Sequence, residues 1–164
     1  MKKLLIFYFL FSLLFIDISS AQNNEITINA TLDVENHELK IQQEIVFHNK
    51  TNSTLDTIYL HNWANGYKNK KTPLSKRLIE NYNKNLHFSK EKVRGFSEVK
   101  NISLNFSSVA WNTKKNAIDI IEISLENSLK PKDSVIINAT YTVKIPSDRF
   151  TKYGRSENAY NLRY

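Results

Sequence analysis

The strongest constraint on this chain is a period-two alternation running from Ile26 to Phe47. Ile26, Ile28, Ala30, Leu32 and Val34 fall on every second residue, as do Leu39, Ile41, Gln43, Ile45 and Phe47. Successive strand side chains point to opposite faces, so this spacing predicts two strands, each with one buried and one wet face. Between them Glu35-Asn36-His37-Glu38 supplies the polar turn of a hairpin.

The same device recurs downstream. Leu55, Ile58 and Leu60 predict a third strand. Val99, Ile102, Leu104 and Phe106 predict another, and Val109 and Trp111 a short one before a turn at Asn112-Thr113-Lys114-Lys115-Asn116. Ile118, Ile120, Ile121, Ile123 and Leu125 form the next. A tight turn at Leu129-Lys130-Pro131-Lys132-Asp133-Ser134 follows, with Pro131 well placed for it. Val135, Ile137, Ala139, Tyr141, Val143 and Ile145 then give the cleanest alternation, and Pro146, which has no N–H for a ladder, ends it. About seven or eight short strands separated by turns make an antiparallel β-sandwich the expected architecture.

One segment breaks the pattern. Between residues 68 and 94 lie Lys68, Lys70, Lys71, Lys76, Arg77, Lys84, Lys90, Lys92 and Arg94 against only Glu80 and Glu91, a net +7 that equals the formal excess of the whole chain. Thr72 suits a helix cap and Pro73 a first helical turn. Leu74, Leu78, Tyr82 and Leu86 continue at helical spacing, so the segment reads as an amphipathic helical insert with a basic outer face. Trp63 and Tyr67 stand just before it, as sheet-edge packing or as rings on which a ligand stacks. The plain role of the insert is a solvated face. Its functional role is a patch for an anionic partner, centred on Lys70, Lys71, Lys76 and Arg77.

At the N-terminus, Met1-Lys2-Lys3 precedes an apolar run from Leu4 to Ile16 and the small residues Ser19-Ser20-Ala21. This is the pattern of a secretory signal peptide, residues 1–21, cleaved before Gln22. The run is shorter than the roughly 20 residues that span a bilayer, and no later segment is apolar enough. Export to the periplasm or beyond is therefore expected. Residues 22–164 form one domain's worth of chain, large enough to hold a core without staples. There is no Cys, so disulfides and thiol chemistry are excluded. His37-Glu38 lacks the second His, four residues after the first, that a zinc helix needs, position 41 being Ile. Gly66, Gly95 and Gly154 are the only glycines, too few for a nucleophile elbow or a phosphate loop. The Asn-x-Ser/Thr triplets, such as Asn29-Ala30-Thr31, are what an Asn-rich chain produces by chance.

The order of segments carries more than any one motif. Asn36-His37-Glu38 is followed by Ile45-Val46-Phe47-His48-Asn49 and by Leu60-His61-Asn62-Trp63-Ala64-Asn65. After the insert come Phe88-Ser89-Lys90-Glu91-Lys92-Val93-Arg94-Gly95-Phe96, the Leu129-x-Pro131-x-x-Ser134 turn, Ile145-Pro146-Ser147, Arg149-Phe150, Gly154 and Tyr160-Asn161-Leu162-Arg163-Tyr164. Over nearly all of residues 22–164 this resembles the N-terminal domain of exported bacterial zinc metallopeptidases of the aminopeptidase N type, the gluzincins. Lys132-Asp133 departs from the family, which usually has Gly in that turn.

The resemblance implies a saddle-like β-sandwich that packs against a thermolysin-like catalytic domain. In the family that later domain carries His-Glu-x-x-His, a downstream Glu ligand and a Gly-x-Met-x-Asn motif. None of these occurs here, so zinc and the catalytic residues are expected in a longer parent, and this chain alone has neither cofactor nor activity. Its end at Tyr164, after what resembles the last strand before the catalytic domain, fits a portion of a longer protein. The alternative is a free-standing exported module that holds an anionic or glycan ligand through Trp63, Tyr67, Lys70, Lys71, Lys76 and Arg77. Nucleic acid is not expected as a partner.

Overall fold

The computed structural model describes residues 23–157 and 159–162, so the expected signal peptide lies outside the described residues. The fold is mainly β, antiparallel and sandwich-like. Its strands are β1 (Glu25–Asp33), β2 (Glu38–His48), β3 (Leu55–His61), β4 (Phe96–Leu104), β5 (Ser107–Ser108), β6 (Trp111–Lys114), β7 (Ala117–Leu129), β8 (Ser134–Lys144), β9 (Gly154–Arg155) and β10 (Tyr160–Asn161). They form a five-stranded sheet ordered β1-β2-β8-β4-β5, a three-stranded sheet ordered β3-β7-β6, and the small pair β9/β10.

Register explains the core. Leu39, Ile41, Gln43, Ile45 and Phe47 of β2 lie opposite Val143, Tyr141, Ala139, Ile137 and Val135 of β8, so both alternating sets share one face. β4 joins them through a bulge. Val99 pairs with Tyr141 and Ile102 with Ala139, so the extra residue Lys100 returns Ile102 to the inner face. From the second sheet, Ile58, Ile121 and Ile123 pack onto Ile102, Val135, Ile137 and Ala139. Ile123 and Ile137 are fully buried.

Two buried asparagines tie the sheets together. The Asn49 amide donates to the carbonyls of Ser53 and Leu129, both at 2.9 Å, and its Oδ1 accepts from the Thr51 N–H at 3.0 Å. Asn65 Nδ2 donates to the Ile118 carbonyl at 3.1 Å, while its Oδ1 accepts from the Ser97 N–H at 3.1 Å. β7 and β4 are thereby clamped by one side chain.

The structure corrects the sequence at four places. β1 does not bury its apolar set: Ile26 is 56% exposed, Ile28 54% and Leu32 38%. Pairing with Ile45, Gln43 and Leu39 puts those residues on the core face. The three-stranded sheet simply does not extend over β1. Phe106 is not in the strand but at a turn with φ 67°, and it is exposed. The turn expected over Asn112–Asn116 narrows, because β6 runs to Lys114 and pairs with β7. The helix expected through Leu86 is two short ones, α1 (Pro73–Glu80) and α2 (Asn85–Phe88).

The break after Glu80 has a local cause. Tyr82 N–H donates to the Ile79 carbonyl at 2.8 Å and Asn83 N–H to the Leu78 carbonyl at 2.7 Å, with Tyr82 at φ 60°. This pair of bonds is a Schellman cap, with Tyr at the left-handed position usually held by Gly.

Candidate functional site

The insert is an ordered part of the domain with a small core of its own. Thr72 caps α1: its buried Oγ1 accepts from the Ser75 N–H at 3.2 Å and donates to the Gly66 carbonyl at 2.6 Å. Pro73 occupies the first turn. This leaves Leu74 and Leu78 facing a cluster of Tyr67, Leu86, Phe150 and Tyr153. The cluster joins residues far apart in sequence, the 63–67 turn, both helices and the segment after β8.

The six residues singled out by sequence divide between that core and the surface. Tyr67 is 4% exposed, stacked on Phe150 at 6.4 Å between ring centroids and tilted on Tyr153 at 5.8 Å. Its hydroxyl is within 2.8 Å of Thr151 Oγ1, and burial pushes the phenol pKa up, with the Thr151 hydrogen bond opposing. Its ring presents no face to a ligand. Trp63 begins the 3-10 turn Trp63–Tyr67, half-exposed and edge-on to His61 at 5.0 Å. Lys70 and Lys71 lie in the turn before α1, and Lys76 and Arg77 on its outer face, all four exposed. None of the six lines the clefts around Arg149.

The structure gathers a different set. Gly95, Pro146, Ser147 and Gly154, dispersed in sequence, meet where the insert rejoins the large sheet. Ser147 N–H donates to the Val93 carbonyl at 2.9 Å, Arg155 N–H to the Pro146 carbonyl at 2.8 Å, and Asp148 N–H to the Arg155 carbonyl at 3.1 Å. A Cβ on Gly95 would stand 2.6 Å from Pro146 Cδ, so backbone approach requires Gly there. The junction holds Arg149 on an exposed loop beside the insert.

Among the described residues no group of three or more His, Asp or Glu comes together to hold a metal. His37 lies at the β1–β2 turn with φ 53° and Nδ1 2.7 Å from Tyr160 Oη. Loss of hydration, then the nearby Arg155 and Lys144 charges, hold it below the usual imidazole range, while Asp33 opposes. No family model and no curated protein matches this chain. No helix among the described residues is long and apolar enough to cross a membrane.

Besides the exposed cations of α1, two surfaces among the described residues leave apolar or basic side chains open. One is the uncovered inner face of β1. The other is a basic cleft between α2 and the 147–150 segment. Sequence reasoning missed the second because Arg149 lies more than fifty residues downstream of the insert.

Proposed function

We propose that this chain is the accessory N-terminal domain of an exported zinc metallopeptidase of the aminopeptidase N type. It packs against a catalytic domain of the same parent protein and is inactive alone. The observation that carries this reading is the β1 face. Ile26, Ile28 and Leu32 belong by register to the same face as the sandwich core, yet nothing in the described chain covers them. The opposite face of β1 carries Thr27, Asn29, Thr31 and Asp33. An apolar strip continuous with a core, on an edge strand, is a surface shaped for burial against another folded body. Finishing the burial of three half-exposed aliphatic side chains stabilises association by roughly 1 kcal/mol each, or about 3 kcal/mol together. The order of motifs along the chain, which resembles that of the gluzincin N-terminal domain, supports a catalytic domain as that body.

A free-standing module for an anionic or glycan ligand draws less support, because Tyr67 belongs to the core. The test is sedimentation and hydrophobic-dye binding of the purified chain and of its I26S/I28S/L32S variant. Expected are dye binding and self-association in the parent chain, both lost in the variant, with no peptide hydrolysis by either. A monodisperse parent chain that binds no dye would remove the docking role.

A further inference from the structure

We propose that the cleft between α2 and the 147–150 segment is a docking groove for an acidic peptide segment that carries an apolar side chain. The cleft has a volume of about 690 Å³, and Lys84, Lys90, Lys92 and Arg149 line it around Val93 and Phe88. No carboxylate belongs to the lining; Glu91, between Lys90 and Lys92, is not part of it. Among the described residues the ion pairs are Lys40–Asp33 and Lys144–Glu38, so the four cations have no carboxylate partner there. Four cations lining one cleft with no carboxylate in that lining favour an anionic occupant, although Asp148, beside Arg149, lines the adjoining clefts.

The groove is preformed. Asn83 Nδ2 donates to the Phe150 carbonyl at 3.1 Å and Asn85 Nδ2 to the Arg149 carbonyl at 2.9 Å, fastening the loop to the insert. Ser147 N–H closes the far side on the Val93 carbonyl. Arg94 is already engaged, its guanidinium donating to Ser89 Oγ and to the Ser89 carbonyl, and it stays out of the lining. Phe88 is 75% exposed, an apolar ring left in water beside the cations.

That mixture selects the occupant. Carboxylates accept charge-assisted hydrogen bonds from ammonium and guanidinium groups, and Arg149 offers a planar fork to one of them. An apolar side chain between the carboxylates would cover Phe88 and Val93. A lipid headgroup layer meets protruding cations, whereas these line a concavity that a single extended chain can enter. The inference is independent of the peptidase reading: it concerns side chains remote in sequence from β1, and the dye-binding test does not involve them.

The probe is a fluorescein-labelled peptide of repeated Glu-Glu-Leu, followed by anisotropy. The variant K84Q/K90Q/K92Q/R149Q is compared with K70Q/K71Q/K76Q/R77Q, which removes the same charge elsewhere. Saturable binding is expected, weakened about tenfold or more in the first variant and by less than about threefold in the second. F88S should weaken binding of the Glu-Glu-Leu peptide and leave a Glu-Glu-Gly peptide unaffected. Equal losses in both quadruple variants would reduce the effect to net charge and overturn the proposal. So would an absence of saturable peptide binding, or capture only by phosphatidylserine vesicles. Circular dichroism melts establish that each variant is folded, as expected for exposed side chains.

Discussion

Replacing Asn49 with Ala should be among the most damaging single changes outside the hydrophobic core. The side chain is 1% exposed and meets three backbone groups, two in the loop that follows it and one at the end of β7. Its removal leaves the Leu129 carbonyl, on the half-buried end of β7, without its donor. The groups of Thr51 and Ser53 lie in an exposed loop, where water replaces part of the loss. One half-buried orphan plus two partly compensated ones costs about 3 kcal/mol. With a urea slope of about 1.5 kcal/mol/M, the unfolding midpoint falls by about 2 M. Trp111, half-buried against the main core, reports the transition by fluorescence. Asn49→Asp should do no better, because a carboxylate would face two carbonyl oxygens. A midpoint for Asn49→Ala within about 0.3 M of the parent, equivalent to about 0.5 kcal/mol, would refute the clamp.

Tyr82→Gly should stabilise the chain by about 1 kcal/mol in the same assay, since Tyr82 is 91% exposed and held at φ 60°, where Gly is unstrained. Gly95→Ala should destabilise by about 1–3 kcal/mol, its Cβ meeting Pro146 and the Lys144 carbonyl, and the cost should be seen as a lowered melting temperature. His37 has a lowered pKa in the folded state, so the unfolded chain takes up the proton first. The stability it contributes is full above about pH 6.5 and is lost as pH falls through that value towards the folded pKa. His37→Asn, which tolerates the positive φ, should flatten the fall in urea midpoint between pH 7 and pH 5; an unchanged pH profile would exclude His37 as its source.

Alternation made β2 and β8 readable because both lie inside the sheet, flanked by strands on either side, with their apolar sets turned to the core face. The same pattern misled at β1, where apolar spacing marks the face but not whether a second layer covers it. Thr72-Pro73 marked the start of α1 through capping chemistry that is local to four residues. Its end was hidden, because Tyr82 occupies a position where Gly would have announced the stop. Asn49 and Asn65 were illegible for a different reason: in an Asn-rich chain, composition does not separate a buried clamp from a loop residue. The basic excess of 68–94 was visible, but not its arrangement. Arg149 completes the cleft only because Asn83 and Asn85 hold its loop, and those contacts span more than sixty residues. Tyr67 looked available beside Trp63, yet the three-dimensional partners of its ring, Phe150 and Tyr153, come from the far end of the chain.

The first measurement to make on the proposed parentage is the coding sequence beyond the codon for Tyr164. A frame that continues, directly or after one frameshift, into several hundred residues with His-Glu-x-x-His and a downstream Glu is the expected result. A clean stop, with no such region nearby, would leave the β1 face without the partner proposed for it and contradict the metallopeptidase assignment.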